Sequence, residues 1–442
     1  DAAWTAIGLA LGTYINWLLV AQPLRKYSHI AGNSITIPDF FSNRFKEKKK
    51  VLLLISSLFT LIFFAVYAGS CFVTGGKLFH YLFGFDYQLM MAIGAAFVII
   101  YTIMGGFLSE ATANFMQASV MIIALALVLI VGIVHAGGVF AVFENINHIP
   151  GFLDFFTMAS PIVNDNKVQE ISAIGQPMFS TAINYGFITI ISTLSWGLGY
   201  FGMPQVLVRF MAIKEPLELK RSRRIGTFWC VISLACAVLI GIVGRSLFPD
   251  LLRTASDSEN VFILLSTLLF NPILAGIMMS GVLAASFSSA SSYLLIAASA
   301  VSKNIFQGII KKDADDKLIM RLSYITLLAV SLTGILIALD ESSIIFSIVS
   351  FAWAGFGAAF GPLMLFSLFW RRCTHSGAIA GLITGGSMVF IWKLLIKPLG
   401  GVFGIYELLP SFILSSLVII IVSLSTKPNE EVQKEFDSVH AK

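Results

Sequence analysis

Long apolar runs separated by short polar stretches dominate the sequence. None of the runs shows the ten-residue alternation of polar and apolar positions that is typical of a membrane β-strand. Eleven runs reach membrane-spanning length: residues 3–21, 51–80, 87–107, 113–136, 178–202, 225–247, 273–301, 319–339, 343–370, 376–396 and 404–424. A helix satisfies its backbone hydrogen bonds internally, as the bilayer interior demands. We therefore predict one all-α transmembrane bundle over residues 1–426, followed by a polar, frayed tail over residues 427–442.

Composition supports a membrane protein and gives no sign of an enzyme. Of the 442 residues, 57% are hydrophobic and 12% are charged, whereas a soluble domain carries about 25% charged residues. The four cysteines show no CxxC or Cys/His spacing, so neither a disulfide nor a zinc site is indicated. HExxH, GxSxG and P-loop motifs are absent, as is a carboxylate pair inside an apolar run. We predict no enzymatic activity and no cofactor.

The basic residues cluster in a few loops that fall on one side of the membrane if the eleven helices alternate. These loops are residues 22–50, 203–224, 302–321 and 371–372, joined by the C-terminal tail, whereas the opposite loop 137–180 has one basic residue, Lys167. Basic loops face the cytoplasm in most membrane proteins. We therefore predict a cytoplasmic C-terminus and an external 137–180 loop. This explanation of the net charge of +5 needs no nucleic acid as a partner. Since the first helix then begins outside, we expect the natural protein to have further helices before it.

The most unusual stretch is GVLAASFSSASSY, residues 281–293, which places five serines inside an apolar run. On a helix, Ala285, Ser288, Ser289 and Ser292 share one face. Hydroxyl oxygens suit a hard cation such as Na⁺. Small residues also let membrane helices approach closely. The residues alone leave open whether this face is an ion site or a packing surface.

A second stretch, SWGLGYFGMP over residues 195–204, combines three glycines and a proline near the end of an apolar run. Such breaks expose backbone polar groups, which transporters use to bind ions and substrates. Trp196 and Tyr200 are four residues apart and would share a helix face, where they suit either a small zwitterion or an interfacial aromatic belt. Tyr67 lies in the middle of another run, and its hydroxyl needs a partner from the protein or a ligand.

Other polar or glycine-rich positions favour helix packing. Asn114 and Gln117 lie one turn apart near the start of a run, where interhelical hydrogen bonding is the simpler explanation. The interval AWAGFGAAFGP, residues 352–362, predicts either a close helix contact or a moving joint. Gly8 and Gly12 form a small-xxx-small face, as do Gly377, Gly381 and Gly385.

Four stretches together resemble the sodium/solute symporter family, and the resemblance covers essentially the whole chain. They are IGLALGTYINWLLV (7–20), WGLGYFG (196–202), SFAWAGFGAAFGP (350–362) and IYELLP (405–410). The resemblance implies a LeuT-like bundle of five plus five helices in an inverted repeat, with broken helices at the membrane midplane. Members have thirteen helices, so about two would precede residue 1.

The resemblance also implies roles for individual residues. Ala285, Ser288 and Ser289 match the family's sodium ligands, and Tyr67, Trp196 and Tyr200 match aromatic positions associated with proline binding. Two positions depart from the pattern. Asn114 stands where the family usually has an aspartate linked to sodium passage, and Met203 stands where proline carriers tend to have glutamine.

These observations lead to one functional expectation with two alternatives. We expect a Na⁺-coupled symporter in the bacterial inner (plasma) membrane that imports L-proline by alternating access, with Na⁺ as the co-transported ion. Its partners would be proline, Na⁺ and the lipid bilayer, with no obligate protein partner. The first alternative is another small amino acid or a carboxylate as the substrate. The second is a membrane sensor built on a transporter bundle, although the short C-terminal tail leaves little room for a signalling domain.

Overall fold

A computed structural model describes residues 2–172, 176–215 and 218–440, apart from the side chains of residues 106–111. The described part is mostly helical. The helices are α1 (Ala2–Leu19), α2 (Ala21–Ile30), α3 (Ile37–Arg44), α4 (Val51–Phe83), α5 (Tyr87–His135), α6 (Val139–Ile146), α7 (Phe187–Leu194), α8 (Pro204–Ala212), α9 (Glu218–Leu247), α10 (Ala255–Glu259), α11 (Val261–Leu269), α12 (Pro272–Ser299), α13 (Asp316–Ile337), α14 (Ile345–Phe369), α15 (His375–Ile391), α16 (Leu408–Ser425) and α17 (Glu430–His440).

Several elements continue or interrupt these helices. A 3₁₀ turn over Ser195–Phe201 follows α7, a π-helical stretch over Ala300–Ile310 continues α12, and another over Trp392–Ile396 continues α15. Short 3₁₀ turns cover Pro249–Leu251, Lys397–Leu399 and Gly401–Gly404. The two short strands β1 (Thr157–Met158) and β2 (Ile183–Asn184) pair antiparallel.

Local sequence sets where several spans begin. Asn271 accepts a hydrogen bond from the backbone N–H of Leu274, and Pro272 occupies the first turn of α12. Thr374 caps α15 in the same way. A side-chain oxygen at this position satisfies an N–H that the helix leaves free. Ten described helical stretches are long and apolar enough to cross a membrane, and Phe187–Phe201 is a shorter apolar helix.

One end of the bundle, called the basic end here, gathers all five basic stretches. Arg25 Nε donates to the carbonyl of Ile213 at 2.6 Å, which joins the first basic loop to the second. Thr36 donates to Asn304 Oδ1 at 3.0 Å, which adds the third. Arg371 binds Asp437 of the tail at 2.7 Å. The predicted alternation of helices therefore agrees with the contacts between loops.

The opposite end has its own set of contacts. Lys77 Nζ binds Glu259 at 3.1 Å, and Glu259 also accepts hydrogen bonds from the backbone N–H groups of Ile345 and Phe346 at the start of α14. Trp4 Nε1 donates to the carbonyl of Phe155 at 2.7 Å, which places the 137–180 loop at this end.

Helix α5 covers Tyr87–His135, where the sequence predicts two spans, 87–107 and 113–136. Its contacts show that it doubles back. The ring of Phe97 lies 5.4 Å from that of Phe287, while Asn114 contacts Ser288, the next residue along α12. In a straight helix, Phe97 and Asn114 would be about 25 Å apart. The chain therefore reverses between Phe97 and Asn114, so α5 consists of two limbs that correspond to the two predicted spans.

Two predictions about local structure were wrong. The run 178–202 is helical only from Phe187, because the residues before it include strand β2. The tail is not frayed within its described residues, 427–440: α17 forms over Glu430–His440 and buries Val432, Phe436 and Val439. Phe436 lies against the fully buried Arg44, whose guanidinium carbon is 5.4 Å from the ring centre. An amphipathic helix therefore covers the basic end of the bundle.

Candidate functional site

A cavity of about 340 Å³ lies between α1, α9, α12 and the segment that joins α7 to α8. It is lined by Thr13, Trp17, Tyr200, Gln205, Val206, Arg209, Gly226, Trp229, Cys230, Ser288, Ser289, Ser292 and Tyr293. Three of these residues belong to the serine face predicted on α12, and Tyr200 belongs to the predicted aromatic pair. Arg209 and Gly226 place the cavity on the basic-end side of Tyr200.

The serine face lies on an unbroken part of α12. Ser288 Oγ donates to Asn114 Oδ1 in a short contact that links α12 to the second limb of α5. Ser291 and Ser292 each donate to the carbonyl of Ser288 at 3.1 Å. Ser288, Ser289 and Ser292 therefore face the cavity together, whereas Ala285 does not line it. The atoms that these serines offer a cation are hydroxyl oxygens.

Close glycine contacts hold the wall formed by the broken helix. Helix α7 ends at Leu194, and the chain continues as a 3₁₀ turn until α8 begins at Pro204, so the predicted break is confirmed. A Cβ on Gly12 would lie 2.3 Å from Gly197, which requires both residues to stay without side chains. Asn16 Nδ2 donates to the carbonyl of Tyr200 at 3.0 Å. These contacts fix Tyr200 against α1.

Trp196 and Tyr200 both contact Trp353, a residue of α14. Trp353 Nε1 donates to the carbonyl of Trp196 at 2.8 Å, and the ring of Trp353 meets that of Tyr200 edge-on at 5.0 Å. The Tyr200 hydroxyl lies 3.8 Å from Cys230 Sγ. Trp196 itself does not line the cavity.

Tyr67 lies behind another lining residue. Its ring stacks on that of Tyr293 at 4.4 Å, and Tyr293 faces the cavity. In this conformation Tyr67 and Trp196 thus form a layer behind Tyr293 and Tyr200. The glycine-rich interval of α14 packs closely: a Cβ on Gly355 would lie 2.2 Å from the ring of Phe63.

Sequence reasoning missed part of the cavity wall. Thr13 and Trp17 are on α1, and their polar atoms interrupt an apolar run, which was the available signal. Trp353 lies in the glycine-rich interval 352–362 noted in the sequence, but only the fold shows that it joins Trp196 to Tyr200. Cys230 carried no signal, because a lone cysteine in an apolar run is ordinarily a core residue.

The family model described as sodium:solute symporter family matches residues 1–385. The chain belongs to the sodium:solute symporter family. It is a membrane transporter and not an enzyme. The family assignment agrees with the resemblance that the four sequence stretches indicated.

Other members of the family are similar over most of their length. The osmoregulated proline transporter OpuE of Bacillus subtilis (strain 168) is 40% identical over 96% of this chain and 81% of its own. The high-affinity proline transporter PutP of the same organism is 39% identical, with 99% and 86% covered. The sodium/proline symporter of Escherichia coli (strain K12) is 37% identical, with 99% and 82% covered.

Solved structures confirm the fold. A Na⁺-coupled sialic acid symporter in a substrate-bound outward-open state superposes with a TM-score of 0.66 at 16% identity, over 96% of this chain and 90% of that one. A transporter of the nucleobase-cation-symport-1 family gives a TM-score of 0.50 at 11% identity, over 99% and 90%. The fold is the LeuT-like helical bundle that the family resemblance implied.

Proposed function

We propose that this symporter moves L-proline together with Na⁺ across the plasma membrane by alternating access. The choice of proline as the substrate rests on the names of the relatives. Proteins 37–40% identical over nearly the whole chain are called proline transporters or sodium/proline symporters. The cavity supports a small solute, because it joins an oxygen-rich helix face to an aromatic wall. Another small amino acid or a carboxylate remains the alternative substrate.

We propose the serine face of α12 as one wall of the sodium site. The carbonyl of Ala285 and the hydroxyls of Ser288 and Ser289 supply oxygen ligands of the kind that hard cations prefer. Tyr200 would contact proline directly, while Tyr67 and Trp196 would support the pocket or join it in another state of the cycle. Na⁺ and proline then favour the same conformation, so each raises the affinity for the other.

We also propose that the basic end faces the cytoplasm, as the positive-inside rule indicates. Inward movement of Na⁺ then follows both its gradient and the membrane potential. The potential contributes about 2.3 kcal/mol per charge per 100 mV.

Uptake by the purified protein in liposomes tests this function. Labelled proline should accumulate when Na⁺ is high outside, and an equal K⁺ gradient should give no accumulation. A panel of other amino acids and carboxylates at the same concentration identifies the substrate. Equal accumulation with K⁺ would exclude sodium coupling, and preference for another solute would favour the alternative substrate.

Ser288→Ala tests the ion site. We expect the half-saturating Na⁺ concentration to rise about tenfold, or ~1.4 kcal/mol, because one oxygen ligand is lost. The matched control is Ser286→Ala, since Ser286 bonds the carbonyl of Val282 at 3.1 Å and does not line the cavity. An equal response of the two variants would remove Ser288 from the site.

A further inference from the structure

Tyr406 closes over the buried layer of aromatic residues at the end opposite the basic loops. It lies between the 3₁₀ turn Gly401–Gly404 and the start of α16. Its ring stacks on that of Trp196, with centres 4.8 Å apart and planes 17° from parallel. Its hydroxyl donates to the carbonyl of Ser350 at 2.6 Å, and its backbone N–H donates to Ser192 Oγ at 2.7 Å. One residue thus connects α7, α14 and the start of α16.

The two residues that follow anchor Tyr406. The side chain of Glu407 is 1% exposed, and it accepts a hydrogen bond from Lys397 Nζ at 2.9 Å while Lys393 Nζ lies 4.0 Å away. This pairing holds the buried carboxylate in place, because without a lysine partner Glu407 would be an uncompensated buried charge. Leu408 is fully buried, and its side chain reaches the backbone of α14 at Gly357.

A continuous column of rings separates the cavity from this end of the bundle. Tyr200 lines the cavity and meets Trp353, which bonds the carbonyl of Trp196. Trp196 is covered in turn by Tyr406 and by Phe346, whose ring is 5.2 Å away. Beyond Tyr200, these rings stand between the cavity and the end opposite the basic loops.

We propose that Tyr406 is the gate of the substrate path at the end opposite the basic loops. Its ring leaves Trp196 when that end opens and returns when it closes, while Glu407 keeps the segment attached. The hydroxyl bond to Ser350 sets how readily the gate opens, because it ties the moving ring to α14. This inference rests on the proposed transport function, since a gate matters only to a path that opens at both ends in turn.

Cys230 provides a probe that needs no substrate, because its sulfur lies beside Tyr200 in the cavity. With the other three cysteines changed to serine, Cys230 is reacted with a membrane-impermeant methanethiosulfonate in right-side-out and in inverted vesicles. We expect slow reaction from the face opposite the basic loops. Tyr406→Ala should speed that reaction at least tenfold, and Tyr406→Phe about threefold, since phenylalanine keeps the stack and loses the hydroxyl bond.

The matched control is Val402→Ala, at an exposed residue of the same end. The proposal would be overturned if Cys230 reacted in both Tyr406 variants at the same rate as in Val402→Ala. If the alanine variant does not fold, the rate in the phenylalanine variant decides. Uptake assays on the same samples separate the two ideas. If the Tyr406 variants change the labelling rate but the protein transports no proline, the gate proposal stands and proline is excluded as the substrate.

Discussion

At the scale of single residues, the contact between Ser288 and Asn114 links two elements at the proposed sodium site. Ser288 belongs to α12, and Asn114 is 8% exposed on the second limb of α5. An amide there is neutral, whereas the resemblance implies an aspartate at this position in most of the family. A carboxylate would add a full negative charge beside the serine face.

Asn114→Asp should therefore strengthen sodium binding. Two unit charges about 4 Å apart attract by roughly 4 kcal/mol at an effective dielectric constant of 20, before the cost of burying the carboxylate. We expect a net fall of about tenfold in the half-saturating Na⁺ concentration for uptake. Asn114→Ala, which removes the amide and adds no charge, is the control and should not lower that concentration. A rise with Asn114→Asp would mean that burial dominates and that Na⁺ does not approach this position.

A second residue predicts how stability responds to acid. Glu47 accepts hydrogen bonds from the backbone N–H of Leu52 at 2.7 Å and Leu53 at 3.2 Å, and from His375 Nε2 at 3.0 Å. Burial opposes the charged form, but the bonds from His375, Leu52 and Leu53 outweigh it and hold the pKa of Glu47 below its ordinary value. The stabilisation is complete above the unfolded pKa of about 4.3 and is lost as the pH falls through the lower folded pKa.

Glu47→Gln should therefore lower the melting temperature at pH 7 in detergent, since the charged acceptor is gone. The difference from the unchanged protein should shrink as the pH is lowered below about 4. Glu144→Gln is the control, because Glu144 is exposed on α6 and should shift neither curve. A difference that is the same at every pH would show that the charge of Glu47 contributes nothing.

Several residues of the candidate site could be predicted from the sequence, but the contacts between them could not. Serine spacing on a helix is a local property, so the cavity-facing set Ser288, Ser289 and Ser292 followed from a 3.6-residue period. That Tyr67 lies behind Tyr293 depends on how α4 packs on α12. Such a contact between distant parts of the chain leaves no periodic signal in either segment.

At the scale of elements, glycine determines how closely the helices around the site approach. A Cβ on Gly197 would lie 2.3 Å from the carbonyl oxygen of Gly8, and one on Gly385 would lie 2.0 Å from that of Ala358. Small-xxx-small faces at Gly8/Gly12 and along α15 were readable from sequence because their spacing is regular. The partner of Gly12 in the broken segment was not, since 3₁₀ geometry replaces the helical period there.

Alanine substitutions at two glycines distinguish the effect of close packing on stability from the effect of helix propensity. Gly197→Ala should destabilise the protein by several kcal/mol or prevent folding, because backbone atoms cannot move aside as a side chain can. Gly241→Ala, inside α9 with nothing within 4 Å of its new methyl group, should be neutral or stabilise by up to ~1 kcal/mol. Melting temperatures in detergent measure both. Equal, small shifts would contradict the close contact between α1 and the broken segment.

The tail helix shows why one element was misjudged. Residues 427–442 are polar overall, and composition alone predicts fraying. Val432, Phe436 and Val439 nevertheless recur at helical spacing, and these are the residues that α17 buries. The stripe is short, and its partner surface at Arg44 and Tyr27 forms only when α2 and α3 fold together. The helical spacing of these three apolar residues was therefore visible in the sequence, but the surface they pack against was not.

At the scale of the whole molecule, the bundle has two chemically different ends. The basic end is tied together by α17 and by contacts among the basic loops, and the cavity lies on its side of Tyr200. The other end is closed by Tyr406, Phe346 and the ion pair of Lys77 with Glu259. A transporter that alternates between two sides must loosen these two sets of contacts in turn.

Labelling of single cysteines from each face of the membrane tests which end faces the cytoplasm. The four native cysteines are first changed to serine, because Cys230 lines the cavity and could react. New cysteines at exposed loop positions then give a clear signal. Lys312→Cys lies in a basic loop and Asn166→Cys in the opposite loop. In intact cells we expect an impermeant maleimide to label Asn166→Cys and to spare Lys312→Cys, with the reverse in inverted vesicles. Labelling of both positions from one face would contradict the alternation of the spans. A complete reversal would keep the alternation but invert the orientation, and Na⁺ entering with the membrane potential would then meet the basic end first.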